Sequence, residues 1–264
     1  MLDLHSHILP GLDDGPETTS EALLMAKLAS DDGIRGMVVT PHIMRGVYTN
    51  NRDTILSALE AFQRRIRREG IDLDLLPGSE VFLDHETLDL FARGDLVTIN
   101  DKGRFLLLEF GFQTIPSCTE DVLFHLMIKG VVPILAHPER NRSIIENPEI
   151  LADFVDRGVL VQLNAGSLLG SFGPEVKKTA ELLLLHGLAH VVATDCHSAE
   201  NRRPLLRRVR NKIADLAGEE TAQALLEINP ARIIDGKDPI PLKKTPLPQV
   251  DSSFLGRLKR FLIK

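Results

Sequence analysis

Seven short apolar runs, each parted from the next by a helical pattern, constrain this chain more than any other feature. They cover residues 2–7, 36–42, 73–81, 104–110, 131–137, 159–164 and 189–197. Helical patterns fill the intervals at 17–32, 51–70, 84–92, 120–129, 148–157 and 174–186. Pro16 and Pro174 stand at helix starts, and Gly33, Gly70, Gly130, Gly158 and Gly187 follow helix ends, where proline and glycine suit the local backbone. Two further helices are predicted at 204–217 and 219–226. Strand alternating with helix is the pattern of an α/β protein with a parallel sheet.

The 264 residues fit one large α/β domain or two small ones. No apolar run approaches the roughly 20 residues of a membrane span, and no leader is read ahead of Asp3. Two cysteines, Cys118 and Cys196, make no disulfide framework, so a reducing cytoplasm is expected. A net charge of −6 counts against nucleic acid as partner. From Asp235 the character changes. Pro239, Pro241, Pro246 and Pro248 among lysines read as an extended linker over 235–252, ahead of a basic amphipathic helix at 253–264. There Phe254, Leu258, Phe261 and Leu262 oppose Arg257, Lys259, Arg260 and Lys264, a pattern suited to peripheral membrane contact, a partner, or packing onto the main domain. That domain is expected to occupy 1–234.

The chemistry sits at the carboxyl ends of the strands, which in a parallel barrel converge on one mouth. His5 and His7 stand two apart at the end of the first, on one face. His42 ends the second run, Glu80 the third, Glu109 the fourth and His137 the fifth, while Asp195 and His197 close the seventh. Asp14 lies in the loop after the first strand. Any one of these could be a helix cap or a core histidine, but six of seven strands offering a ligand type at one rim is a metal site. Nine ligands exceed one ion and suit two or three divalent cations. Nitrogen and oxygen donors without thiolate favour Mn, Fe or Zn. Such ions support hydrolysis of a phosphate ester.

Arg140, three residues past His137, and Arg202, five past His197, belong to loops at the same mouth. A guanidinium fork there can hold phosphate oxygens, and Arg203 could take the role of Arg202. Gly166, Gly170 and Gly173 surround the loop after the sixth strand, which carries no ligand; they suit either close substrate approach or an ordinary turn. Cys196 and Arg202 also match the C-x5-R spacing of cysteine-dependent tyrosine phosphatases. The intervening His197-Ser198-Ala199-Glu200-Asn201 has no glycine to cradle phosphate, and strand alternation turns Cys196 away from Asp195 and His197. The thiolate reading is rejected.

These residues lie in the segments Asp3-Leu4-His5-Ser6-His7-Ile8-Leu9-Pro10-Gly11-Leu12-Asp13-Asp14-Gly15-Pro16, Thr40-Pro41-His42, Gly78-Ser79-Glu80-Val81, Leu108-Glu109-Phe110, Ala136-His137-Pro138-Glu139-Arg140-Asn141 and Ala193-Thr194-Asp195-Cys196-His197. Through them the chain resembles the PHP (polymerase and histidinol phosphatase) superfamily, and within it the manganese-dependent tyrosine phosphatases of bacterial capsule and exopolysaccharide loci. The resemblance implies a distorted, TIM-like, seven-stranded parallel β/α barrel with a trinuclear site. By position, His5, His7, Glu80 and Asp195 would hold one ion. Glu80 would bridge to a second held by Glu109 and His137, and Asp14, His42 and His197 would hold the third. Asp14, Arg140 and Arg202 would be the catalytic residues, the arginines gripping phosphotyrosine. Mn is the implied metal, and the implied partner is a bacterial tyrosine kinase that regulates polysaccharide export. The expected reaction is direct attack by a metal-bridging hydroxide. Phenolate, from a phenol of pKa about 10, leaves without a strong acid. The alternative is a histidinol-phosphate phosphatase or other small phosphomonoesterase, which would need a proton donor for its alkoxide.

Overall fold

The computed structural model describes residues 1–248. The predicted helix at 253–264 therefore lies outside the described residues. Among the described residues ten strands form: β1 (Leu2–Ser6), β2 (Gly36–Val39), β3 (His42–Met44), β4 (Tyr48–Thr49), β5 (Asp74–Pro77), β6 (Glu80–Phe82), β7 (Phe105–Glu109), β8 (Val132–Ala136), β9 (Leu160–Asn164) and β10 (Val191–Ala193). They build a three-stranded sheet, β1-β2-β5, and a seven-stranded sheet, β10-β9-β8-β7-β6-β3-β4. All pairs are parallel except the β3–β4 hairpin.

The strand count differs from seven because two predicted runs each break in the middle and a two-residue strand, β4, is added. β2 continues into β3 past Thr40-Pro41, and β5 into β6 past Gly78-Ser79. Pro41 has no N–H to give a ladder. Gly78 lies so close to its neighbour that a Cβ would stand 2.7 Å from a Val38 methyl. Counting each broken pair as one stave and setting aside the short antiparallel strand β4 leaves seven staves. The ring closes between β1 and the end of β10 through a single Ser6–Cys196 bridge. His7 N donates to Cys196 O (3.0 Å) and Asp195 N to His5 O (2.9 Å). Asp3 reinforces this seam, accepting from Thr194 N at 3.0 Å and Thr194 Oγ1 at 2.5 Å. The fold is a distorted parallel β/α barrel.

The outer layer comprises α1 (Thr19–Asp32), α2 (Arg52–Arg68), α3 (Thr87–Arg93), α4 (Thr119–Ile128), α5 (Arg142–Glu146), α6 (Glu149–Asp156), α7 (Ala165–Leu169), α8 (Pro174–Leu185), α9 (Arg207–Ala217), α10 (Glu219–Gln223) and α11 (Asn229–Ile234). The helix predicted to stop at 226 instead continues through a π turn, Ala224–Ile228, into α11. One apolar core lies between strands and helices. A second fills the barrel, where Leu4, Val38, Phe105, Leu107, Ile134 and Leu160 meet Ile99 and Ile233. Ile233 of α11 closes the floor, so the polar interior is confined to the carboxyl-terminal mouth. Residues 237–248 form neither helix nor strand, and they lie against the barrel: Ile240 N donates to Asn229 Oδ1, Lys244 Nζ to Asp156, and Thr245 N to His186 O.

Candidate metal centre and phosphate site

The ladder between β1 and β2 skips between Asp3 and Ser6. This irregularity lets Leu4 join the interior apolar cluster while His5 and His7 also face inward, since a bulge re-aims the side chains beyond it. Gln162 Oε1 accepts from His5 Nδ1 (2.9 Å), and Asp13 Oδ2 from His7 Nδ1 (2.7 Å). With protons held there, each imidazole turns its Nε2 lone pair inward. The two Nε2 atoms lie 3.0 Å apart. Glu80 Oε2 is 3.1 Å from the first and 3.2 Å from the second, and Asp195 Oδ1 is 3.5 Å from both. Four acceptors on one point repel one another unless positive charge sits among them.

All nine predicted ligands come to this mouth. Glu80 Oε1 reaches His137 Nε2 at 3.1 Å, and Glu109 Oε2 is 3.9 Å from the same nitrogen. Asp14 Oδ1 lies 3.4 Å from His42 Nε2 and 3.2 Å from His197 Nε2. The grouping differs from the expected one at His42. Its other nitrogen, Nδ1, lies 3.1 Å from Glu109 Oε1 and 3.2 Å from Glu80 Oε2, so this ring stands between the second and third sets. His137 (φ 36°) and Asp195 (φ 50°) have left-handed backbones, a conformation non-glycine residues take at a cost of roughly 1–2 kcal/mol. That turn aims both side chains into the mouth.

These residues fit divalent cations. Buried atoms without a hydrogen-bond partner include His42 Nδ1, Glu80 Oε2 and Glu109 Oε1, all three pointing into the cluster. Unpaired buried polar atoms are rare and costly. The electrostatics ask for positive charge at the same place. Burial opposes charging His7, yet Asp13 and Glu80 hold its pKa up at about 10. Burial likewise opposes charging His42, while Asp14 and Glu109 hold it at about 12. A proton serves one imidazole at a time; a divalent ion serves several donors together.

Asp195 links this centre to the arginines. Its Oδ1 faces His5 and His7, while its Oδ2 accepts from Asn164 Nδ2 (2.7 Å) and Arg140 Nη1 (3.3 Å) and forms an ion pair with Arg202 Nη2 (2.5 Å). The exposed Arg203 donates Nε to Glu200 O instead, so Arg202 is the arginine that faces the site. Several contributors were missed in the sequence. The sixth strand supplies no ligand but does supply Gln162 and Asn164, and their signal was two amides inside an otherwise apolar buried run. Asp13, Phe112 and Phe172 carried no local signal. Gly166 makes room for Phe172, since a Cβ there would stand 3.0 Å from its ring, and Gly170 is the left-handed cap of α7. The turn reading of these glycines thus has visible contacts behind it.

Cys196 is fully buried in the core between strands and helices, and burial pushes its thiol well above the ordinary range. Cys196→Ser is expected to keep metal-dependent turnover within about threefold while lowering the melting temperature, because burying a hydroxyl costs about 1–3 kcal/mol. Loss of all turnover in a folded Cys196→Ser protein would restore the thiolate mechanism.

Known proteins resemble this chain. Residues 1–235 match the family described as capsular polysaccharide synthesis, CpsB/CapC. The chain is 38% identical over 202 residues to the tyrosine-protein phosphatase YwqE of Bacillus subtilis, covering 76% of this chain and 79% of that protein. It is 28% identical to the tyrosine-protein phosphatase CpsB of Streptococcus pneumoniae, over 89% and 98% of the two chains. A solved structure from work on YwqE and CpsB, described as metal-dependent tyrosine phosphatases, matches with a TM-score of 0.90 and 33% identity. It covers 94% of this chain and 100% of its own. A histidinol phosphate phosphatase from Lactococcus lactis, at 14% identity and a TM-score of 0.53, shares the fold alone. The chain belongs to the CpsB/CapC family of capsular polysaccharide synthesis.

Proposed function

We propose that this protein is a metal-dependent protein-tyrosine phosphatase. The observation that carries the reading is Asp195, which turns one oxygen to a cluster of metal-ligand side chains and the other to two arginines. When bound, divalent ions would activate water and withdraw charge from a phosphoryl group. The ions would be held as two or three by His5, His7, Asp14, His42, Glu80, Glu109, His137, Asp195 and His197. Everything else falls to the chain. Gln162 and Asp13 fix the imidazoles of His5 and His7, so the cluster does not reorganise as substrate arrives. Arg140 and Arg202 release Asp195 Oδ2 in part and turn their forks onto the phosphoryl oxygens, where charge develops. Asp14, its side chain 46% exposed, stands at the entrance between His42 and His197. No proton donor is needed for a phenolate leaving group, in keeping with tyrosine rather than an alkyl ester.

The finer reading names Mn as the metal, over Fe or Zn, because carboxylates contribute much of the donor set. It names a tyrosine kinase that regulates capsule or exopolysaccharide synthesis as the phosphoprotein, and a cytoplasmic setting. Among the described residues no helix is long and apolar enough to cross a membrane. Residues 1–234 would be the catalytic unit, 235–252 the connector, and 253–264 a basic amphipathic segment capable of peripheral membrane contact. Deleting 253–264 would then abolish liposome binding.

Stripping metal and restoring Mn tests the central claim. Hydrolysis of a phosphotyrosine peptide should vanish on chelation, return with Mn, and exceed hydrolysis of histidinol phosphate. No turnover of either ester after Mn is restored would end the phosphatase reading. Preference for histidinol phosphate would end the tyrosine reading alone.

A further inference from the structure

The loops at the arginine side of the mouth carry two aromatic rings that the chemistry above leaves without a role. The Arg140 guanidinium carbon lies 4.4 Å from the Phe112 ring centre and 4.2 Å from that of Phe172. Both contacts are within cation–π range, so the fork is held by its faces while its Nη1 stays on Asp195. Phe112 belongs to the loop after β7. That loop is tied to the next by Arg142 N donating to Phe112 O (2.7 Å) and Asn141 Nδ2 donating to Gly111 O (2.6 Å). Yet the Phe112 side of this pair is open: the residue is 47% exposed, whereas Phe172 is half-buried against Gly166. The ring is thus pinned in place at the rim of a polar site with a free surface to offer a ligand.

We propose that Phe112 is the specificity-determining residue for aryl over alkyl phosphate, and that its exposed surface packs against the phenyl ring of phosphotyrosine. Phe172 acts behind it as a positioning residue for Arg140. The proposal rests on the phosphatase reading and names the part of the substrate that Phe112 meets. In an aryl phosphate the ring is separated from phosphorus by one oxygen. A phosphoryl group gripped by Arg140 therefore brings that ring to the arginine's aromatic neighbours. An alkyl ester offers no flat surface there, and offset or edge contacts between rings favour the aryl ligand.

Calorimetric binding of benzylphosphonate, which keeps one atom between ring and phosphorus, and methylphosphonate to the Mn-loaded protein tests this without turnover. Wild type should bind benzylphosphonate about five- to tenfold more tightly than methylphosphonate. Phe112→Ala should bring the ratio within about twofold of unity, with methylphosphonate affinity falling no further than in Phe172→Ala, since each ring holds one face of Arg140. Phe112→Tyr should restore the ratio. Phe172→Ala should weaken both ligands together, because its ring acts through Arg140. An unchanged ratio in Phe112→Ala would overturn the proposal, as would equal weakening of both ligands, which would reduce Phe112 to a support for Arg140. Loss of the ratio in Phe172→Ala alone would move the recognition surface to the other ring. These are affinities, so their failure is separate from that of the phosphatase reading, which falls on turnover.

Discussion

Glu80→Ala is expected to lower kcat on a phosphotyrosine peptide by at least about a thousandfold, some 4 kcal/mol of transition-state stabilisation. No other side chain touches as much of the centre. Its two oxygens lie 3.1–3.2 Å from nitrogens of His5, His7, His42 and His137. It is wholly buried, and burial would raise its carboxyl, but the surrounding imidazoles, His5 first, hold it well below the ordinary range. Removing it deletes the shared negative charge and leaves four imidazoles facing one another. The bound ions per chain should fall by at least one, and the gain in melting temperature on adding Mn should shrink with them, since stabilisation by a ligand follows its affinity. Glu80→Gln is the sharper variant. It keeps the shape and one acceptor but points an amide N–H₂ at inward-facing lone pairs, so it should also lose metal. Full metal content and turnover within tenfold of wild type in a folded Glu80→Ala protein would remove Glu80 from the centre.

The sequence made the seven-stave plan legible because the strands of this sheet are buried on both faces. β7 and β9 have every residue buried and read as unbroken apolar runs. The same property hid the breaks at Thr40-Pro41 and Gly78-Ser79. A continuous run gives no period to lose, and only Pro41 and Gly78 themselves mark the interruption. As a result His42 and Glu80 begin new strands rather than ending old ones, though their place at the mouth is the same. The ligands could be read because strand ends in a parallel sheet share one edge, so position along the chain maps directly onto position in space. Their supports could not. Gln162 meets His5 across 157 residues, and the Arg140 contacts with Phe112 and Phe172 depend on how three loops fold over one another, which no local periodicity encodes. The left-handed turns at His137 and Asp195 were equally invisible, since nothing in the local residues requires them apart from the direction their side chains must take.

Arg140→Ala and Arg202→Ala should each lower kcat/KM on the same peptide by about a hundred- to a thousandfold, the cost of removing one preorganised donor from developing charge. Metal content should stay as in wild type, which separates this effect from that of Glu80. The two arginines share one acceptor, Asp195 Oδ2, so they form a unit. With one gone, the other is drawn more fully onto Asp195 and away from substrate. The double variant should therefore lose less than the product of the single losses. Lysine should rescue little at position 140, because an ammonium carries charge but neither the planar fork nor the two aromatic contacts. Arg203→Ala supplies the internal control: its Nε is held by Glu200 O, and turnover should stay within about twofold. Equal losses for Arg202 and Arg203 variants would mean that the loop after β10, rather than one guanidinium, supports the phosphoryl group. A change confined to KM with kcat intact would mean that the arginines bind substrate and transition state alike, and the stabilising charge would then have to come from the metal ligands alone.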